Sequence, residues 1–270
     1  MPIYRDMRYP KSAKRISLIV LSCTVLTLGL ISCNGTPTGS GGGNGSKYTV
    51  RGILVVDLNR SKTQSAIQLT RNSSKTTTAS VALDTAAFQF AVPSFLIDSV
   101  YSYSANSPRV FAAGQHSLYL HDTTLLADTV GVAVPDTFTI LTHSPVNRTI
   151  VGSGTARFTW SGSTGANGYF IAAALRSHAY PGYSAYVTTG QTAQTIPPEA
   201  FSPSPGPTPD TGWYDIYVCS YTGVPDSTLF SSFLSAPFPT QLTDNVDRIR
   251  VAGRFGTVLV ARKDSIHVIF

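Results

Sequence analysis

Five histidines could serve as metal ligands or catalytic bases, but they are scattered along the chain at His116, His121, His143, His178 and His267. His116 and His121 are five positions apart in a stretch that alternates like a strand, so they point to opposite faces of it. A metal ion needs ligands that converge on one point. We therefore interpret the histidines as structural or surface residues, and we predict neither a metal site nor a cofactor.

A calcium site is the other metal centre that the residue types suggest. Asp244, Asn245 and Asp247 offer three oxygen-bearing side chains within four positions. A calcium loop also needs a glycine at its sharp turn and a later bidentate glutamate, and this stretch has neither. The pattern therefore does not predict bound calcium.

Motifs for nucleophilic catalysis are also weak. Residues 152–155 and 161–165 come closest to a Gly-x-Ser-x-Gly elbow, but neither is followed by a predicted helix, and glycine and serine are ordinary turn residues. Cys219 has no adjacent histidine to activate it, so we interpret it as a half-buried structural thiol. The acidic residues show no spacing that singles out a pair for glycoside hydrolysis. We predict a protein that is not an enzyme, and we hold a hydrolase assembled from distant Asp and His residues as the least favoured hypothesis.

One segment, residues 176–186, is rich in side chains suited to ligand contact. It contains Tyr180, Tyr183, Tyr186 and His178 in a predicted loop. Tyrosines on loops of a rigid β-scaffold bring contact area and a polar tip at low entropic cost, so these four residues form the predicted binding site for a carbohydrate or a peptide. The alternative is that Tyr183 and Tyr186 pack onto neighbouring strands.

The elements that carry these residues begin after a leader. Basic residues from Lys11 to Arg15 precede a mainly apolar stretch from Ile16 to Ile31. That stretch is shorter than the roughly 20 apolar residues that cross a bilayer, and a polar, glycine-rich segment follows it. We predict a signal peptide at 1–32 rather than a transmembrane anchor.

The end of this leader, Leu30-Ile31-Ser32-Cys33, resembles the lipobox of bacterial lipoproteins. The resemblance implies that the Cys33 sulfur carries a diacylglycerol through a thioether and that the chain is cleaved before Cys33. Its partner would then be membrane lipid, held stably by two or more acyl chains. An ordinary cleaved signal with an incidental cysteine is the alternative, and a competing box at residues 20–23 leaves a shorter apolar run.

In lipoproteins of Gram-negative bacteria an aspartate after the acylated cysteine usually retains the protein at the inner membrane. Asn34 occupies that position here. The resemblance therefore implies the cell envelope, at the outer membrane, with the periplasmic or surface-facing side left open. Residues 33–46 are rich in Gly and Ser and are predicted to be a flexible linker.

The charge distribution argues against nucleic acid as a partner. The chain has a formal net charge of +6, but five of its basic residues and one acidic residue lie in the leader. The remainder carries 15 basic and 13 acidic residues, with no basic stripe to neutralise phosphates. Nucleic-acid binding is therefore not expected.

From residue 47 onward, short β-branched and aromatic runs alternate with Gly, Pro, Asn and Ser clusters, which is typical of antiparallel β-sandwiches. An N-terminal β-sandwich is predicted at 47–136. Its candidate strands are residues 48–58, 65–70, 79–83, 87–92, 99–104, 116–121 and 128–134. No stretch has sustained helical periodicity, so helices longer than a turn or two are not expected.

A second β-sandwich is predicted at 137–270. Within it, residues 156–161, 166–173 and 212–218 resemble strands B, C and F of a fibronectin type III domain over about residues 137–238. The resemblance implies an immunoglobulin-like fold in which Trp160 packs across the core against an aromatic residue of strand C, and a proline-rich insertion at 202–209 departs from it. The final segment, residues 246–270, reads as strands that either supply strand G or return to the first sandwich.

These observations predict an all-β protein that works as a membrane-anchored, non-enzymatic binding or structural module of the cell envelope, with a glycan or an envelope protein as its partner. The alternative is a glycan-binding component of a surface polysaccharide uptake system, which would present residues 180–186 to its ligand.

Overall fold

A computed structural model describes residues 48–94, 96–123, 125–177, 182–188, 190–202, 210–231, 233, 238 and 243–270. These residues all belong to one compact unit, Asn44–Phe270. Most of them lie in strands, which confirms the predicted all-β class. Within the described ranges, helical structure consists of the single turn α1 (Ser227–Phe230) and a 3-10 turn (Pro198–Phe201), and no helix there is long and apolar enough to span a membrane.

The strands follow the runs of alternating residues closely. Their bounds are β1 Tyr48–Asp57, β2 Lys62–Arg71, β3 Ser74–Lys75, β4 Ser80–Leu83, β5 Ala86–Ala87, β6 Gln89–Ala91, β7 Val100–Ala105, β8 Gly114–Asp122, β9 Leu126–Val134, β10 Ile140–Ser144, β11 Thr149–Val151, β12 Ala156–Trp160, β13 Gly168–Leu175, β14 Tyr183–Thr188, β15 Ala193–Ile196, β16 Gly212–Gly223, β17 Val246–Asp247, β18 Val251–Val260 and β19 Asp264–Ile269.

The first half of the chain packs two sheets around one apolar core. Strands β5, β4, β8 and β9 form a small sheet, while β1, β2, β7 and β6 are neighbours in the large sheet. Between them lie buried side chains of both sheets, including Tyr48, Leu69, Leu118 and Leu120. The Tyr48 hydroxyl donates to the buried Asp122 carboxylate at 2.6 Å, so the polar tip of this core residue is satisfied.

The second half also packs two sheets together. Strands β10, β12 and β15 form a three-stranded sheet, and β14, β13, β16, β19 and β11 follow one another in the large sheet. Phe158 and Trp160 of β12 are fully buried, as their period-2 spacing predicts. Trp160 contacts Tyr169 of β13 with ring centroids 5.6 Å apart.

The C-terminal strands join both halves. Strand β18 runs parallel to β1 over ten paired positions, from Tyr48 opposite Val251 to Asp57 opposite Val260. Strand β18 also pairs antiparallel with residues 219–223 of β16, and β19 pairs antiparallel with residues 212–216 of the same strand. The final segment therefore pairs with strands of both halves.

A third core lies on the other face of the large sheet. It includes Phe170, Cys219 and Phe230, and α1 covers part of it. The fully buried Asp226 carboxylate caps α1 by accepting from the N–H groups of Thr228 and Leu229, and it also accepts from Arg51 Nε at 2.8 Å. Burial alone would raise the pKa of Asp226, but the Thr228 hydroxyl and the Arg51 charge outweigh it and hold that pKa below its ordinary value.

Candidate functional site

The predicted ligand residues fall into two groups. Tyr183 and Tyr186 lie in β14, whereas His178, Tyr180 and the proposed acylation site Cys33 lie outside the described residues. Strand β14 pairs with β13, so the last part of the segment that was predicted as a loop, from Tyr183 onward, belongs to a strand.

Three positions apart in a strand, Tyr183 and Tyr186 point to opposite faces. Tyr183 packs partly buried against the core that contains Trp160, and burial raises its pKa. Tyr186 makes edge contacts with the rings of Tyr221 and Phe238, and burial raises its pKa too. Both rings pack against the interior, so the structure does not bring these two tyrosines together on one surface.

Two histidines are paired with aspartates. His116 Nδ1 lies 2.6 Å from Asp84 Oδ2, and its Nε2 lies 2.7 Å from the Ala112 carbonyl oxygen. The N–H of Ser117 and the His116 ring together lower the pKa of the Asp84 carboxyl. Both ring nitrogens of His116 are therefore engaged, one with the turn between β4 and β5 and the other with the segment before β8.

The second pair is part of a small network. His143 Nδ1 lies 3.0 Å from Asp264 Oδ2, and Arg148 Nη2 lies 3.1 Å from Asp264 Oδ1. Arg148 Nε donates to His143 Nε2 at 3.3 Å, which occupies the nitrogen that a catalytic base would need free. Across the described ranges, no group of three His, Cys, Asp or Glu side chains converges as metal ligands would.

An exposed tryptophan marks the surface on which functional groups do converge. Strand β16 alternates, with Tyr214 fully buried and Trp213 43% exposed on the outer face of the large sheet. The His267 ring of β19 stacks on the indole with centroids 4.8 Å apart and an interplanar angle of 17°. The guanidinium of Arg176 lies over the same indole, 5.6 Å from its centroid, on the side toward β13.

A carboxylate beside the tryptophan organises two cations. Asp215 Oδ1 accepts from Arg176 Nε at 2.6 Å, and Asp215 Oδ2 accepts from Lys263 Nζ at 2.5 Å. Asp215 is largely buried, whereas both cations are partly exposed. We call this surface the Trp213 face and define it by Arg176, Trp213, Asp215, Lys263 and His267. It presents a partly exposed indole and two cationic groups, Arg176 at the end of β13 and Lys263 just before β19.

A second surface feature is a shallow polar cleft of about 450 Å³ on the three-stranded sheet. Its lining residues are Arg157, Gln191, Thr192, Ala193, Gln194 and Thr195. The cleft offers one cation and several hydrogen-bonding groups without an aromatic platform. It could hold a small polar ligand by hydrogen bonds to hydroxyl or carboxylate oxygens.

The Trp213 face is not among the sites predicted from the sequence. A signal was present, because the alternation that buries Tyr214 and Ile216 must turn Trp213 and Asp215 outward. The neighbours of Trp213 carried no such signal, since Arg176 and His267 are distant in sequence and only strand pairing brings them beside it.

Comparisons with known proteins identify no family for this chain. No protein-family model and no curated protein sequence matches it. A solved cytokine receptor complex is similar at a TM-score of 0.25 and 12% identity, over 80% of this chain and 95% of that one. A calcium-stabilized adhesin with which an Antarctic bacterium binds ice is similar at a TM-score of 0.23 and 10% identity, over 85% of this chain and 50% of that one. At TM-scores this low, neither likeness carries information about function.

Proposed function

We propose that this chain is a non-enzymatic lipoprotein of the bacterial cell envelope that displays two β-sandwich halves as a binding or structural module. Acylated Cys33 is its anchor, residues 34–46 are its linker, and the outer membrane is its location. The observation that carries the binding role is the Trp213 face, where an exposed aromatic ring and paired cations are held on a rigid sheet. Rigid presentation of such groups reduces the entropic cost of binding.

An immunoglobulin-like second half of fibronectin type III character is part of this proposal. The pairing order β10-β12-β15 opposite β14-β13-β16-β19 supports it, because it corresponds to a sandwich of strands A-B-E and C′-C-F-G. The Tyr214 hydroxyl supports it as well. That hydroxyl lies 2.9 Å from the carbonyl oxygens of both Phe201 and Asp210, like the tyrosine corner at the start of strand F in immunoglobulin-like domains.

The anchoring is tested by metabolic labelling with a palmitate analogue in a bacterial host. The parent chain should incorporate the label and partition into detergent, and Cys33→Ser should lose both properties. Cys23→Ser is the matched control because it removes the cysteine of the competing box and should change neither. Equal labelling of the Cys33→Ser chain would refute the lipoprotein proposal.

Glycan binding is the second candidate function, and the polar cleft favours it. Arg157 and Gln194 line this cleft and offer several N–H donors to sugar oxygens or to an acidic sugar. Binding of the parent chain to a glycan array should fall at least tenfold in the double variant Arg157→Ala/Gln194→Ala. The control is Arg109→Ala, which removes an exposed arginine in the other half of the chain. A parent chain that binds no glycan on the array would exclude this function.

A further inference from the structure

The exposed apolar residues of the C-terminal strands continue the Trp213 face. Val151 of β11 is 55% exposed and pairs with Ile269 of β19, which is 39% exposed. Trp213 is 43% exposed and pairs with His267, two positions before Ile269 on the same strand face. Trp213, Val151 and Ile269 therefore lie on one face of neighbouring strands, and exposed apolar side chains grouped in this way favour the binding of another molecule.

The accessible charge around this surface is positive. Arg176 and Lys263 have side chains that are 47% and 40% exposed, whereas their common partner Asp215 is 12% exposed. Because the Asp215 carboxylate is largely buried and both cations are more exposed, an approaching molecule meets the cations first. The surface is therefore complementary to an anionic partner.

The geometry of the indole decides between kinds of anionic partner. A sugar ring would stack on a free face of the tryptophan, but His267 covers one side of the indole and Arg176 lies over it from the neighbouring strand. These two contacts reduce the ring face that is free for stacking, while the exposed aliphatic side chains of Val151 and Ile269 lie on the same face of β11 and β19. An apolar surface bordered by cations fits a lipid headgroup region, where apolar tips enter the acyl boundary and Lys or Arg heads stay with the phosphates.

We propose that the Trp213 face, extended by Val151 and Ile269, docks on the surface of an anionic phospholipid bilayer. The contact would hold the folded unit flat on the membrane in addition to the acyl anchor. This docking proposal rests on the proposed function in one respect only, which is that the proposed function places the chain at a membrane. The acyl anchor would strengthen this second contact, because it raises the effective concentration of the Trp213 face at the membrane.

The fluorescence of the chain's own tryptophans can report on this contact. The chain has two tryptophans, and Trp160 is 1% exposed in the core whereas Trp213 is 43% exposed. Full-length Cys33→Ser protein is mixed with vesicles of phosphatidylcholine and phosphatidylglycerol in which a fraction of the acyl chains is brominated. Bromine quenches only an indole that reaches the acyl boundary. The leader has no tryptophan, so the indole signal reports only on the folded part of the chain.

The expected result is quenching with anionic vesicles and much weaker quenching with phosphatidylcholine alone. Trp213→Phe should abolish the quenching, and Arg176→Gln or Lys263→Gln should weaken docking about fivefold each, as expected for one cation near an anionic membrane. The matched control is the double variant Trp213→Phe/Leu141→Trp. It moves the probe to a residue of the three-stranded sheet that is 62% exposed, and it should not be quenched.

Unquenched Trp213 emission on anionic vesicles would overturn the proposal. Emission that changes with a soluble acidic polysaccharide but not with vesicles would also overturn it, and would assign the surface to a glycan. Failure of palmitate labelling at Cys33 is a separate outcome. It would remove the acyl anchor while leaving the Trp213 quenching result intact, so the two proposals fail independently.

Discussion

Replacing Trp160 by alanine should destabilise the protein by about 3 to 5 kcal/mol. The side chain is 1% exposed and lies in the core of the second half, beside Tyr169. A buried aromatic side chain removes roughly 200 Å² from water, which is about 5 kcal/mol at about 25 cal/mol per Å². An unfolded chain that is already partly compact reduces this value by roughly 10 to 40%. The result agrees with the cost of about 3 to 5 kcal/mol seen for large aromatic truncations.

Phenylalanine at the same position should cost much less. The Trp160 Nε1 atom is buried, and no acceptor for it lies within the described part of the chain. Burying an unpaired N–H costs about 1 to 3 kcal/mol. Trp160→Phe loses some apolar area but also removes this donor, so the net cost should stay below about 1.5 kcal/mol.

Urea unfolding followed by far-UV circular dichroism measures these differences without relying on tryptophan emission. Trp213→Ala is the matched control. It removes the same side chain from a surface position, with loss of one ring stack and one cation–π contact, and should cost no more than about 1.5 kcal/mol. A loss below about 1 kcal/mol for Trp160→Ala, or one equal to that of Trp213→Ala, would refute the reasoning that Trp160 is a core residue.

Three further substitutions test other parts of the fold. Asp226→Asn should lower the free energy of unfolding at pH 7 by about 1 to 3 kcal/mol. Because the folded pKa of Asp226 is lowered, its ionised form stabilises the fold above the ordinary aspartate pKa of about 4. The difference in unfolding free energy from the variant, measured by urea titration, should therefore shrink as the pH falls through that value and then through the lower folded pKa. Tyr214→Phe should cost about 1 kcal/mol by removing one buried hydrogen bond, measured by urea unfolding. Gly253 has a φ of +129° and an added Cβ would lie 2.0 Å from the Val50 carbonyl oxygen, so Gly253→Ala should lower the melting temperature markedly while Gly131→Ala, with open space, should not.

The alternation of apolar and polar residues predicts most of the strands, because burial of one strand face places apolar residues at every second position. Leu118 and Leu120 are buried while Tyr119 between them is 46% exposed, and the alternation of residues 116–121 indicates this directly. The parallel pairing of β1 with β18 could not be predicted. Many strands in the chain have the same apolar character, and nothing in residues 48–57 specifies a partner that lies some 200 positions away.

The candidate site was less predictable than the fold for the same reason. Trp213 is turned outward by an alternation visible in the sequence, but its chemistry depends on what stands beside it. The pairing of β16 with β13 and β19 supplies Arg176 and His267, and residues far apart in sequence give no local sign of that register. For Tyr183 and Tyr186, a predicted loop suggested exposure, whereas pairing with β13 draws both rings toward the interior.

The pairing of β1 with β18 also sets an order of events during synthesis. Strand β1 is made early, yet one of its two neighbours is made only when residues 251–260 appear. Until then the backbone groups along one edge of β1 are unpaired, which favours pairing with other chains. Contacts of such sequence separation also form slowly. A chain shortened before β18 should therefore fail to complete the first half as well as the second, and an exported chain would need protection against aggregation until its last strands emerge.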